Sequence, residues 1–175
     1  MNTLSAKLPI IIDIEASGFG KGSYPIEVGF VLANGQRKCQ LIKPDSSWTH
    51  WDLEAEKVHK IRRLLLQERG DTPHQVALWL NQELAGSTVY SDAWGHDSSW
   101  IAKLFDIAEL NPSFKVDSIV TLLTGEHDLD LWQQSMDRVI TEFKGQRHRA
   151  SVDAAIIQRC YELTKLRAKN IRRVA

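Results

Sequence analysis

A run of branched apolar residues from Leu8 to Ile12 leads into two carboxylates, Asp13 and Glu15, and then breaks at Ser17-Gly18. An isoleucine-rich run of this length suits a strand buried on both faces, and the small-residue pair ends it. Residues two apart in a strand point to the same side. Asp13 and Glu15 therefore share a face, with Ile14 turned away from them. Two ionised carboxylates side by side in a buried strand repel each other and lose hydration. A divalent cation would offset that cost. The alternative is an acidic triplet that merely ends a strand at the surface, since short motifs of this kind arise by chance.

The chain has 175 residues, which suits one domain, taken as 1–175, with a sizeable core. Its 22 Lys and Arg balance its 22 Asp and Glu. That balance argues against a strongly basic nucleic-acid binder, although a local basic patch remains open. Cys39 and Cys160 lie far apart in apolar contexts, which predicts two buried free thiols in a reducing compartment. The N-terminus lacks an apolar stretch of signal-peptide length, and no apolar run reaches about 18 residues. These features predict a cytoplasmic protein with no membrane segment.

After the first strand, Phe19 to Tyr24 is a Gly-rich loop, and Pro25 opens a second apolar strand to Leu32. Asn34-Gly35 between apolar runs predicts a hairpin, with Gln36 to Ile42 as the returning strand. Glu27 lies within this ladder and is expected to pair with a basic residue. Asp45 to Gly70 reads as one or two short helices, and Asp71-Thr72-Pro73 as the start of a longer one. Thr88 to Tyr90 is a short strand. Asp97 sits where the next helix is expected to begin, with Trp100, Ile101, Leu104 and Phe105 on its apolar face. A strand near Phe114 to Val116, a short helix from Ile119, a polar-faced helix from Asp128 to Phe143 and a last helix from Val152 to about Lys165 complete the chain. The fold class is α/β, a mixed sheet flanked by helices. Asp92 reads as a helix cap or a surface residue.

Three acidic sites thus stand out: Asp13 with Glu15, Asp97, and Asp153 at the start of the last helix, five residues after His148. On these residues the chain resembles the DEDDh branch of 3′–5′ exonucleases, which have a ribonuclease H-like fold. Relatives include oligoribonuclease, ribonuclease T and the proofreading subunit of bacterial DNA polymerase III. Asp13-Ile14-Glu15-Ala16-Ser17-Gly18 matches the first family motif, with Ala16 where Thr is frequent. His148-Arg149-Ala150-Ser151-Val152-Asp153-Ala154 matches His-x-Ala-x-x-Asp-Ala in full. Trp94-Gly95-His96-Asp97 is similar to the Trp-Gly-x-x-Asp form of exoribonuclease relatives, one residue short. Val58-His59-Lys60-Ile61 resembles a small element between the first two motifs. The resemblance implies removal of nucleoside 5′-monophosphates from 3′ ends of single-stranded RNA or DNA, with RNA favoured by the Trp-Gly element. Relatives are often homodimers, though no stretch here announces an interface.

Phosphodiester hydrolysis needs an attacking hydroxide, in-line geometry and neutralisation of phosphate charge. Two divalent ions about 3.5–4 Å apart provide these together. The expected ligands are Asp13, Glu15, Asp97 and Asp153, holding two Mg²⁺ or Mn²⁺, with His148 as general base. Ala16, Ser17, Gly18, His59 and Trp94 are expected to meet substrate, and Trp51 is a further candidate for stacking on bases. Two rivals stay open: an endonuclease on the same fold, and a nucleic-acid-binding module without activity.

Overall fold

The computed structural model describes residues 7–123, 129–143 and 147–174. Asp128, the expected start of the polar-faced helix, lies outside them. Five strands form one sheet: β1 (Ile10–Ala16), β2 (Pro25–Val31), β3 (Arg37–Leu41), β4 (Thr88–Ser91) and β5 (Lys115–Ser118), in the order β3-β2-β1-β4-β5. The β1–β2–β3 meander is antiparallel, whereas β4 and β5 run parallel to β1. The Asn34-Gly35 turn closes the β2–β3 hairpin, Gly35 taking φ +83°, a conformation for which glycine has no steric penalty.

Between β3 and β4 lie α1 (Leu53–His59), α2 (Arg63–Arg69) and α3 (Pro73–Leu84). Thr72 caps α3 through a reciprocal capping box with Gln75, as the Thr-Pro start predicts. Helix α4 (Trp94–Ile107) follows β4 directly. A 3₁₀ turn (Ile119–Leu122), α5 (Leu129–Glu142) and the long α6 (Ala150–Val174) follow β5. The last helix starts two residues before the expected position and runs about nine further. Among the described residues, no helix is long and apolar enough to cross a membrane.

Strand alternation sorts the interior into two layers. Ile12, Ile14 and Ala16 of β1 join Val28 and Phe30 of β2 in the larger core, with Leu80 and Leu84 of α3 and Ile101, Leu104 and Phe105 of α4. Ile11 and Val31 instead pack with Ala154, Ile157 and Tyr161 of α6. By the same alternation Asp13 and Glu15 point to the α6 side, in phase with Ile11.

Cys39 corrects an expectation. It is exposed, whereas Cys160 is buried and free as predicted. The reason is position: β3 pairs only with β2 and is an edge strand, and Cys39 stands between Lys38 and Gln40, so nothing there supplies a covering apolar layer.

Candidate metal centre

The site follows from what stands beside Asp13 and Glu15 in the ladder. Asp13 pairs with Gly29 and Glu15 with Glu27 on β2, and the register slips just after Glu15. Gly29 leaves room that α6 fills. A Cβ at Gly29 would lie 2.2 Å from the Ser151 backbone nitrogen, an impossible contact. This close approach brings the first turn of α6, with Asp153, over the carboxylate face of β1. Carboxylate oxygens of Asp13, Glu15 and Asp153 consequently lie within 4.8 Å of one another.

Asp97 is the fourth acid. Helix α4 begins at Trp94, three residues earlier than expected, so Asp97 lies inside its first turn rather than ahead of it. The amides of His96 and Asp97 already bond to the Ala93 carbonyl. The Asp97 side chain is buried and accepts a hydrogen bond from the Ser91 hydroxyl at the end of β4. It stands outside the 4.8 Å trio, yet its charge is the largest electrostatic influence on Asp13.

The proton affinities record this crowding. Burial, and then the charges of Asp97, Glu15 and Asp153, hold the Asp13 carboxyl well above the usual range. Glu15 is pushed up to about 8, first by burial and then by Asp153 and Glu27, with Arg149 opposing. Asp97 is raised to about 7 by burial, against the Ser91 hydrogen bond. Asp153 is raised by burial despite the His148 amide and Arg147. One buried Asp153 oxygen, Oδ1, has no hydrogen-bond partner, while Oδ2 accepts the His148 backbone N–H at 2.9 Å. Several hard oxygen donors, mutual repulsion and an orphaned oxygen together fit a divalent cation such as Mg²⁺ or Mn²⁺.

The acids open onto a cleft of about 430 Å³ lined by Asp13, Glu15, Ala16, Gly18, His59, Asp97 and His148 among others. Asp13 and Asp153 also border a smaller cavity of about 220 Å³, shared with Asp92 and Arg147. His59 is 4% exposed, and its Nδ1 accepts the Ile61 N–H at 3.0 Å, which leaves the buried Nε2 without a partner. Burial lowers its proton affinity.

Two expected contact residues stand elsewhere. Ser17 is fully buried, its hydroxyl accepting the Tyr24 N–H and bonding His50 Nδ1, so it anchors the loop that leaves β1. Trp94 is half-exposed, does not line the cleft, and donates its indole N–H to the Val116 carbonyl. Trp51 likewise hydrogen-bonds Glu56 and meets His59 edge-on outside the cleft lining. The cleft wall is instead aromatic through Phe19, His96 and Trp100. Phe19 is 68% exposed, and the His96 and Trp100 rings stack with centroids 5.6 Å apart. The exposed Phe in the Gly-rich loop and the i, i+4 spacing of His96 and Trp100 were the available signals.

No protein-family model matches the chain, and no curated protein matches it in sequence. Solved structures do. A zinc-bound complex of E. coli exonuclease I with single-stranded DNA superposes with a TM-score of 0.73 at 11% identity, covering 92% of this chain and 41% of that one. The fold is shared. It has the mixed sheet expected from the strand and helix order, in the ribonuclease H-like arrangement that the family resemblance implies. A product-bound exonuclease I gives a TM-score of 0.67 at 11% identity over 93% of this chain and 45% of that chain. A moderately thermophilic exonuclease I from Methylocaldum szegediense gives 0.55 at 13%, over 91% of this chain and 39% of that one. This chain therefore spans less than half the length of the exonuclease I chains it resembles.

Proposed function

We propose that this chain is a metal-dependent 3′–5′ exonuclease of the DEDDh type, acting as one domain on single-stranded nucleic acid and releasing nucleoside 5′-monophosphates. The observation that carries the reading is the convergence of Asp13, Glu15 and Asp153 oxygens within 4.8 Å beside a cleft that also holds Asp97 and His148. A likeness of fold alone does not assign chemistry. The donor set does.

In this reading Asp13, Glu15, Asp97 and Asp153 would hold two Mg²⁺ or Mn²⁺. When bound, the ions supply positive charge opposite the phosphate and the departing oxygen. His148 accepts the proton of the attacking water at an imidazole nitrogen, a role that neutral histidine fills near physiological pH. Asp97, kept in place by Ser91, lends negative charge from the α4 side. Ala16 and Gly18 offer backbone and little bulk to the strand's 3′ end, and the His59 Nε2–H donates to it. Ser17 contributes by anchoring the loop. Phe19 and His96 present ring faces to the terminal bases, a mode that suits unpaired nucleotides, with the buried Trp100 ring backing His96. Trp94 lies away from this path.

The substrate is single-stranded RNA or DNA. The Trp-Gly element favours RNA, whereas exonuclease I is known in complexes with single-stranded DNA oligonucleotides. Incubating linear and circularised single strands of each sugar with Mn²⁺ tests the reading. Linear strands are consumed and circles survive. Cut circles would convert the assignment to an endonuclease.

A further inference from the structure

Glu27 is 1% exposed, an unusual place for a glutamate, and its charge raises the proton affinity of the neighbouring Glu15. Its carboxylate is fully engaged. Arg149 Nε donates to Oε1 and Oε2 at 3.0 and 3.1 Å, and Nη2 also bonds Oε1. The Ala150 backbone N–H, the first of α6, donates to Oε2 at 2.9 Å. One strand residue thus grips two consecutive residues that follow His148.

His148 itself takes φ +65°, the left-handed region that non-glycine residues seldom occupy. Such conformations persist only where surrounding contacts over-determine them. The His148 N–H is spent on Asp153 Oδ2, so this backbone geometry and the Asp153 carboxylate are set together. The restraint holding both is the two-residue grip immediately downstream. Gly29 contributes by letting α6 settle against β2.

We infer that Glu27 and Arg149 are positioning residues, a clamp that fixes His148 and Asp153 for the hydrolysis proposed above. The inference rests on that reading for its catalytic consequence, but not for its structural one. Neither residue lines the cleft. Their effect passes through the 148–150 backbone. The fork matters more than the charge, because a lysine ammonium cannot engage both carboxylate oxygens in the same plane.

The test uses the full chain carrying Arg149→Lys, which keeps a cation beside the buried Glu27, or Arg149→Gln, which keeps an amide donor there, with circular dichroism confirming that each variant folds. Steady-state cleavage of single-stranded DNA and RNA with Mn²⁺ gives kcat and KM, and amide hydrogen exchange by NMR follows the His148 N–H. Both variants lose kcat by about 10- to 100-fold with KM little changed, as when an outer-shell partner is removed. Exchange of the His148 amide accelerates by a similar factor, while β1 amides keep their protection. Wild-type kcat or an unaccelerated His148 amide in Arg149→Gln would overturn the clamp, as would full rescue by Arg149→Lys. If the wild-type chain cleaves neither strand, the nuclease reading fails, and the exchange measurement alone decides the clamp.

Discussion

The backbone N–H of His148 donates to Asp153 Oδ2 at 2.9 Å, so the expected base and the expected metal ligand of one motif are tied through main chain rather than through the imidazole. His148 also lines the cleft. Replacing the ring while keeping the backbone should separate chemistry from binding.

His148→Ala tests that separation. Turnover falls by about a hundredfold or more, the usual scale for a lost general base. Mn²⁺ affinity, measured by calorimetry, stays at the wild-type value because the amide bond to Asp153 survives. Undiminished turnover would remove His148 from the reaction.

The acids make stability depend on pH in a definite direction. Burial first, and then neighbouring carboxylates, push Glu15 up to about 8 and Asp97 up to about 7 in the folded chain, with Asp13 and Asp153 shifted the same way. From the ordinary carboxylate range up to those values, the folded state keeps protons that the unfolded chain has released. Raising the pH therefore costs stability. Without metal, Tm falls between about pH 5 and about pH 9, and excess Mn²⁺ reduces the fall because bound cations replace the protons. Glu15→Gln flattens the metal-free profile. A profile rising through that interval, checked by calorimetry, would contradict the repulsive arrangement.

Gly29→Ala tests how α6 reaches the acids. The added methyl would meet the Ser151 nitrogen at 2.2 Å and the Ala150 carbonyl carbon at 2.6 Å, both backbone atoms that cannot rotate away. Overpacking of this kind costs about 1–3 kcal/mol, read from denaturant midpoints. Cleavage and Mn²⁺ affinity fall together, because displacing α6 moves Asp153.

Where local rules act, the sequence was readable. The β1 run, the Asn34-Gly35 hairpin and the Thr72-Pro73 cap each depend on residues within a few positions, and all stand as expected. The face shared by Asp13 and Glu15 followed from strand alternation alone. Their approach to Asp153 did not, since it depends on Gly29 of a neighbouring strand accepting the helix. Glu27 was expected to find a cation, but that this cation would be Arg149, 122 positions away, is a property of the folded chain. Asp97 stands within the first turn of α4 rather than ahead of it because the helix starts behind Ala93, whose side chain cannot cap and so leaves no boundary signal in the sequence. The aromatic wall of Phe19, His96 and Trp100 was hidden for the same reason as the clamp. It joins a loop after β1 to the face of a helix far along the chain.

If Asp13, Glu15 and Asp153 hold metal for hydrolysis from a 3′ end, the chain degrades 5′-labelled single-stranded DNA or RNA with Mn²⁺, which ladders of the wild-type chain and of Asp13→Ala resolve step by step. Stepwise shortening of the labelled strand in the wild type, abolished in Asp13→Ala and by EDTA, is the predicted result. Wild-type cleavage that persists in Asp13→Ala, or no shortening of either strand with Mn²⁺ present, would contradict it.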